Sequence, residues 1–158
     1  MEILESSVVV PSKSTPNHCI WLSNLDLLVA RSHTPTVYFY RPTADPGFFA
    51  VEPLKAALAE VLVHFYPLAG RLGLDRSGRL EIKCTGEGVQ FVVARSELTV
   101  DDFGDFSPSD EMREKLVPIA ESGDPPCILV MFQVSLPITA GFVHSKHYDF
   151  FLLRHRKI

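Results

Sequence analysis

Three hydroxyls fall in alternation along Thr36-Val37-Tyr38-Phe39-Tyr40. The β-branched and aromatic residues of this segment predict a strand. A period of two places Thr36, Tyr38 and Tyr40 on one face and Val37 and Phe39 on the other. Hydroxyls both donate and accept hydrogen bonds, so the first face suits the wall of a polar-lined cavity. The alternative is a half-exposed strand with its tyrosines at the surface. A second concentration of chemistry lies at His144, His147, Asp149 and His155. Imidazole and carboxylate are metal-ligand types, but mixed histidine tracts are common by chance, and no metal site is expected. Cys19, Cys84 and Cys127 are odd in number and far apart, with no C-x-x-C pair, so they indicate neither a zinc site nor a disulfide framework.

Several elements must position these groups. Ile3 to Pro11, with Val8-Val9-Val10, reads as a strand stopped by Pro11, and Pro11 to Asn17 reads as a loop. Trp21 is read as a core anchor. Pro53 to Tyr66 is the clearest helix. Pro53 fits its first position, and Leu54, Ala57, Leu58, Val61, Leu62 and Phe65 follow the spacing of a buried stripe. Pro67 cannot continue the helix and biases Tyr66 towards an extended conformation. A hairpin is expected from Arg71–Leu74 and Arg79–Cys84 around Asp75-Arg76-Ser77-Gly78. In its second arm Leu80, Ile82 and Cys84 alternate with Arg79, Glu81 and Lys83, as in a half-buried antiparallel strand. Val89 to Val93 is a further strand. Ser109 is the N-cap of a short helix running to Leu116. Cys127 to Val134 is a continuous apolar run, as expected of a strand buried on both faces. The order implies an α/β or α+β chain with a mixed sheet and helices.

The chain has 158 residues, 46% of them hydrophobic and 22% charged, which are globular values. The net charge of -4 comes with no basic block, which argues against nucleic acid or an anionic membrane as partner. The first residues are acidic and show no apolar secretory signal. No apolar run is long enough to span a bilayer. The expectation is a reduced, soluble, cytoplasmic protein.

His64-Phe65-Tyr66-Pro67-Leu68-Ala69-Gly70-Arg71-Leu72 resembles the F-Y-P-L-A-G-R-(L/M) signature of the plant BAHD acyltransferases. His33-Thr34-Pro35-Thr36-Val37-Tyr38-Phe39-Tyr40-Arg41-Pro42 is similar to the H-T-P-S-V-Y-F-Y-R-P segment of the hydroxycinnamoyl-CoA:shikimate/quinate branch of that family. Leu80 to Cys84, Gly86 to Val89, Trp21 to Asp26 and Pro126 to Ser135 fit as well. The resemblance implies the N-terminal part of a two-domain fold of the chloramphenicol-acetyltransferase type. It implies transfer of a hydroxycinnamoyl group from its coenzyme A thioester to a hydroxyl acceptor such as shikimate or quinate. Acyl-CoA would be a co-substrate, not a bound cofactor, and the intact protein would be a monomer. By the same match His33, Thr36 and Tyr38 line the pocket for the phenolic end of the acyl group, with Thr36 where the branch usually carries serine. In the family the histidine of an H-x-x-x-D motif, just after the strand corresponding to Cys127–Val134, is the general base.

After Ser135 the resemblance stops. His144 and His147 are the candidates for the catalytic position, but His144 to Asp149 is one residue too long and His147 to Asp149 two too short. The residues four after them are Tyr148 and Phe151. The organisation read from the sequence is therefore a partial acyltransferase domain over residues 1–135 and a divergent tail over 136–158. Intron retention or a frameshift would produce such a tail. The Cys127–Val134 strand would then lack neighbours on both sides, leaving an apolar edge and a marginally stable chain. The competing reading is a non-catalytic truncated isoform or pseudogene product, at most a binding or interaction module.

Overall fold

The structure is a computed structural model that describes residues 2–28, 33–40, 47, 50–96, 100–103, 107, 109–117, 126–137 and 149–156. Among the described residues fourteen elements follow in order: strands β1 (Glu2–Val9) and β2 (Cys19–Trp21), helix α1 (Asn24–Leu27), strand β3 (His33–Tyr40), helix α2 (Val51–His64), a 3-10 turn (Tyr66–Ala69), strands β4 (Arg71–Leu74), β5 (Leu80–Lys83) and β6 (Val89–Ser96), a second 3-10 turn (Val100–Phe103), helix α3 (Asp110–Leu116), and strands β7 (Cys127–Ile128), β8 (Val130–Pro137) and β9 (Asp149–Arg156). They form a five-stranded sheet in the order β1-β6-β8-β9-β3 and a four-stranded sheet in the order β2-β5-β4-β7.

The parallel pair β6–β8 is the middle of the larger sheet, running from Gln90↔Met131 to Ser96↔Pro137. A strand with neighbours on both sides and cover on both faces buries successive side chains, and Val130, Met131, Gln133, Val134 and Ser135 of β8 are all buried. One face, with Phe91, Val93 and Val134, joins Leu62 of α2 and Leu72, Leu80 and Ile82 of the smaller sheet in the main core. The opposite face meets α3, where Met112 and Leu116 pack with Val37, Phe39 and Phe103. Gln133, fully buried, donates from Nε2 to the Leu116 carbonyl and to Ser135 Oγ, both at 3.0 Å. This satisfies a carbonyl of the last turn of α3 and fastens it to β8.

The mixed α/β architecture, the hairpin and the Ser109 cap are as the sequence predicts. The Ser109 hydroxyl accepts from the Met112 amide. In the hairpin turn Gly78 sits at φ 81, which a side chain disfavours. Asp75 Oδ1 accepts from the Ser77 amide and hydroxyl and from the Arg79 amide, and these bonds hold its carboxyl below the usual range.

Six expectations are corrected. The apolar run from Cys127 is not one strand. It switches sheets at Leu129, with Cys127–Ile128 on β4 and Val130–Pro137 on β6. It is also not an uncovered edge, because β9 pairs with β8 from Val130↔His155 to Ser135↔Phe150. Trp21 is 65% exposed, because on the short strand β2 the alternate residue, Ile20, faces the core. The Arg79 guanidinium covers its ring at 4.8 Å from the centroid. Pro53 is the third residue of α2, still within the first turn, where its missing N–H leaves no helical bond unmade. The buried stripe of α2 is Leu54, Leu58 and Leu62 with Val51 and Ala59, whereas Ala57, Val61 and Phe65 lie on an exposed flank. Tyr66 is not extended but opens a 3-10 turn closed by the Leu68 amide on Phe65 O and the Gly70 amide on Pro67 O.

Lys55 of α2 pairs with Glu5 of β1 and lies over the Phe91 ring, 5.8 Å from its centroid. The Lys55 hydrogen bond lowers the Glu5 carboxyl, with help from Ser7, and Glu5 raises the Lys55 ammonium. Among the described residues no helix is long and apolar enough to cross a membrane.

Two outcomes follow. The β3 strand has β9 as its only sheet partner among the described residues. Leu152→Pro removes an amide from the middle of β9. It will abolish amide-exchange protection across His33–Tyr40 while the β4–β5 hairpin keeps its own; equal loss in both would refute the topology. The Lys55–Glu5 pair sets a pH window. A lowered carboxylate stabilises above its unfolded value and loses this as pH falls through the folded value, whereas a raised ammonium loses it as pH rises through its folded value. The stability gap between the native chain and Glu5→Gln will therefore be flat between about pH 5 and 10 and shrink at both ends, as read from melting temperatures; a gap independent of pH would contradict the pairing.

Candidate functional site

The sequence places its pocket on β3, and the ladder shows which side of the sheet that wall faces. Directly paired residues share a face. Tyr38 pairs with Phe151, Phe151 with Val134, and Val134 with Val93. Thr36 pairs with Leu153, Leu153 with Phe132, and Phe132 with Phe91. Val134, Val93 and Phe91 are in the main core with Phe132 packed against them, so Thr36 and Tyr38 stand on the α2 side of the sheet. Thr36 is half-buried, and Tyr38 is 46% exposed. The two lie about 7 Å apart along the strand, a spacing at which both hydroxyls can meet one small ligand. His33 opens β3 opposite Arg156, and its side chain lies outside the described residues. His144 and His147 lie outside them too. Asp149 and His155 enter through the backbone of β9 alone, opposite Tyr40 and Thr34. Among the described residues no group of three potential metal ligands converges.

The other face of β3 holds a feature that sequence reasoning missed. Pro35, Val37 and Phe39 form one wall of a cleft of ≈ 360 Å³. Ser109, Met112 and Arg113 of the α3 region, with Val117 beyond, form the other. The alternation of β3 and the cap of α3 were both visible in the sequence. Nothing local says that α3 packs on the Val37/Phe39 face, because that contact joins segments more than seventy positions apart.

The segment Tyr66–Leu72 is built for structure. Arg71 donates from one terminal nitrogen to the carbonyls of Gly70 and Gly88, both at 2.8 Å, and its Nε lies 3.4 Å from Glu87 Oε2. The Gly88 amide donates to Ala69 O at 2.9 Å. Together these bonds tie the end of α2 to the loop entering β6. A Cβ on Gly70 would strike the Lys83 carbonyl, so the hairpin can lie against this turn only if the residue is glycine. Arg71 is thus committed to fixed backbone acceptors. Cys84 is buried, and burial pushes its thiol up, which makes it inert.

A family model described as the Transferase family matches residues 1–139. This chain belongs to that family, the BAHD acyltransferases. It is 62% identical over 138 residues to putrescine hydroxycinnamoyltransferase 1 of Oryza sativa subsp. japonica, covering 85% of this chain and 31% of that protein. It is 53% identical over 121 residues to shikimate O-hydroxycinnamoyltransferase of Nicotiana tabacum, covering 77% of this chain and 28% of that protein. The chain therefore spans about a third of the length of these curated relatives. The crystal structure of vinorine synthase superposes with a TM-score of 0.70 at 22% identity, covering 98% of this chain and 37% of that one. That likeness shows the fold, the chloramphenicol-acetyltransferase type that the resemblance implied. The family match ends at residue 139, whereas the structural superposition takes in almost the whole chain.

Within this BAHD framework the Gly70 turn can be tested directly. Gly70→Ala must push the Lys83 backbone away and will lower stability by about 1–3 kcal/mol, measured by urea denaturation. A change under about 0.5 kcal/mol would show that the turn is not close-packed.

Proposed function

We propose that this chain carries one wall of the acyl pocket of a CoA-dependent hydroxycinnamoyltransferase and does not turn over substrate by itself. The observation that carries the reading is the family match over residues 1–139, which contains the whole of β3 with its Thr36/Tyr38 face. His33, Thr36 and Tyr38 would hold the phenolic end of the acyl group through hydroxyl and imidazole hydrogen bonds.

The reaction itself needs a base. The acceptor hydroxyl attacks the thioester carbonyl carbon, the base removes its proton, and the carbon–sulfur bond breaks to release the CoA thiol. The family uses the histidine of H-x-x-x-D for this. No histidine of this sequence has an aspartate four residues later. His144 and His147 are the candidates by residue type alone, and the reading leaves both without the role. It includes a monomeric cytosolic protein.

Shikimate or quinate is the first acceptor reading, favoured by the H-T-P-T-V-Y segment and the tobacco relative. An amine acceptor is the second, favoured by the 62% identity to a protein named as a putrescine hydroxycinnamoyltransferase.

The full chain, incubated with p-coumaroyl-CoA and shikimate, quinate or putrescine, will give no product above the enzyme-free rate by chromatography. It will still bind p-coumaroyl-CoA by calorimetry, and Tyr38→Phe will weaken that binding about fivefold. Turnover abolished by His144→Ala or His147→Ala would overturn the inactive reading. Binding unchanged in Tyr38→Phe would remove Tyr38 from the pocket.

A further inference from the structure

We infer that the cleft between β3 and α3 is a second small-molecule site, specific for a compact aromatic carboxylate. It lies on the opposite face of β3 from Thr36 and Tyr38, because Pro35, Val37 and Phe39 alternate with them along the strand. It is therefore separate from the acyl pocket proposed above and does not depend on it.

The size and lining define the ligand. At ≈ 360 Å³ the cleft is at the small end of the range for ligand sites, about 300–1,000 Å³. That volume suits one or two fused rings and excludes a coenzyme A thioester. Val37, Phe39 and Met112 offer apolar, aromatic and thioether surface, the surroundings that favour an aromatic ring. A tilted Phe103 ring 6.0 Å from that of Phe39 backs this wall. Among the described residues the polar lining is Ser109 and Arg113. The Ser109 oxygen already accepts from the Met112 amide, which leaves its O–H to donate. Arg113 is exposed and makes no ion pair among the described residues. Its planar guanidinium matches a carboxylate through two parallel hydrogen bonds. A ring in the apolar slot with its carboxylate on Arg113 and the Ser109 hydroxyl uses both polar side chains among the described lining residues. Among the described residues the neighbouring carboxylates Asp110 and Glu114 are exposed and do not line the cleft.

The probe is 2-naphthoate, whose fluorescence reports its surroundings, titrated into the full chain. It will bind saturably at one site per chain. Arg113→Gln will weaken it about tenfold, and the neutral isostere 2-naphthamide will bind the native chain about tenfold more weakly. Arg113→Lys, which keeps the charge but loses the fork, will fall between. Arg76→Gln, which removes a cation from the exposed hairpin turn, will leave affinity unchanged. Inorganic phosphate at matched ionic strength will not displace the probe. Val37→Phe, with its melting temperature checked, will block binding by filling the slot. Equal affinity for the acid and the amide, an unaltered affinity in Arg113→Gln, or no saturable binding would each overturn the site. Loss of p-coumaroyl-CoA binding with naphthoate binding retained would count against the acyl-pocket reading alone.

Discussion

The parallel pairing of β6 with β8 is the constraint on which the rest of the structure depends. Parallel neighbours cannot be joined by a tight turn; the chain must leave the sheet, cross a face and return. The segment between Ser96 and Val130 does this, and it carries α3 with it. Once α3 occupies one face, the other is left for α2 and the smaller sheet, and the main core forms there. The strands beside the pair follow. The first strand closes the β6 side in antiparallel register, and β9 closes the β8 side. Gln133 marks how firmly the crossover is fixed: a buried amide costs a desolvation penalty unless its donors are met, and the Leu116 carbonyl and Ser135 hydroxyl meet them.

The conspicuous sequence signature serves the same end from the opposite direction. Arg71 bridges the turn after α2 to the loop before β6 through Gly70 and Gly88 carbonyls and Glu87. Gly88, at φ 92 and pressed against the Val9 carbonyl, lets that loop pass close to the end of β1. These contacts set where β6 starts, and hence its register against β8. A motif can identify a lineage through backbone geometry alone, with every polar group spent on holding the chain.

Local chemistry was legible in the sequence and long-range placement was not. The β4–β5 hairpin, the Ser109 cap, the α2 helix and the alternation of β3 each follow from residues within a few positions of one another. The errors have a common origin. Trp21 is not the core anchor that the sequence suggests, because on a three-residue edge strand the neighbour Ile20 takes the inward position. The apolar run from Cys127 gave no sign of the switch at Leu129, because both of its halves are buried, one in each sheet. The strand β9 escaped notice because its partners are β3, more than a hundred positions away, and β8, and nothing in Asp149–Arg156 taken alone names either. For the site, the sequence and its resemblance named His33, Thr36 and Tyr38, but could not show which side of a sheet they would face.

That last question decides how many sites one strand can serve. A strand at the edge of a sheet shows alternate residues to two separate environments, so a single eight-residue segment can wall two unlike cavities. On β3 the even positions present hydroxyls toward the α2 side, and the odd positions present Pro35, Val37 and Phe39 toward α3. The two faces share a backbone but no lining side chain. A substitution on one leaves the chemistry of the other intact, provided the strand stays docked on β9. The dependence on β9 is mutual, because β9 itself sits between β8 and β3. Any change that frees β3 dissolves both walls together, whereas a side-chain change dissolves one. Loss of binding on both faces at once therefore reports on the sheet, and loss on one face reports on the site.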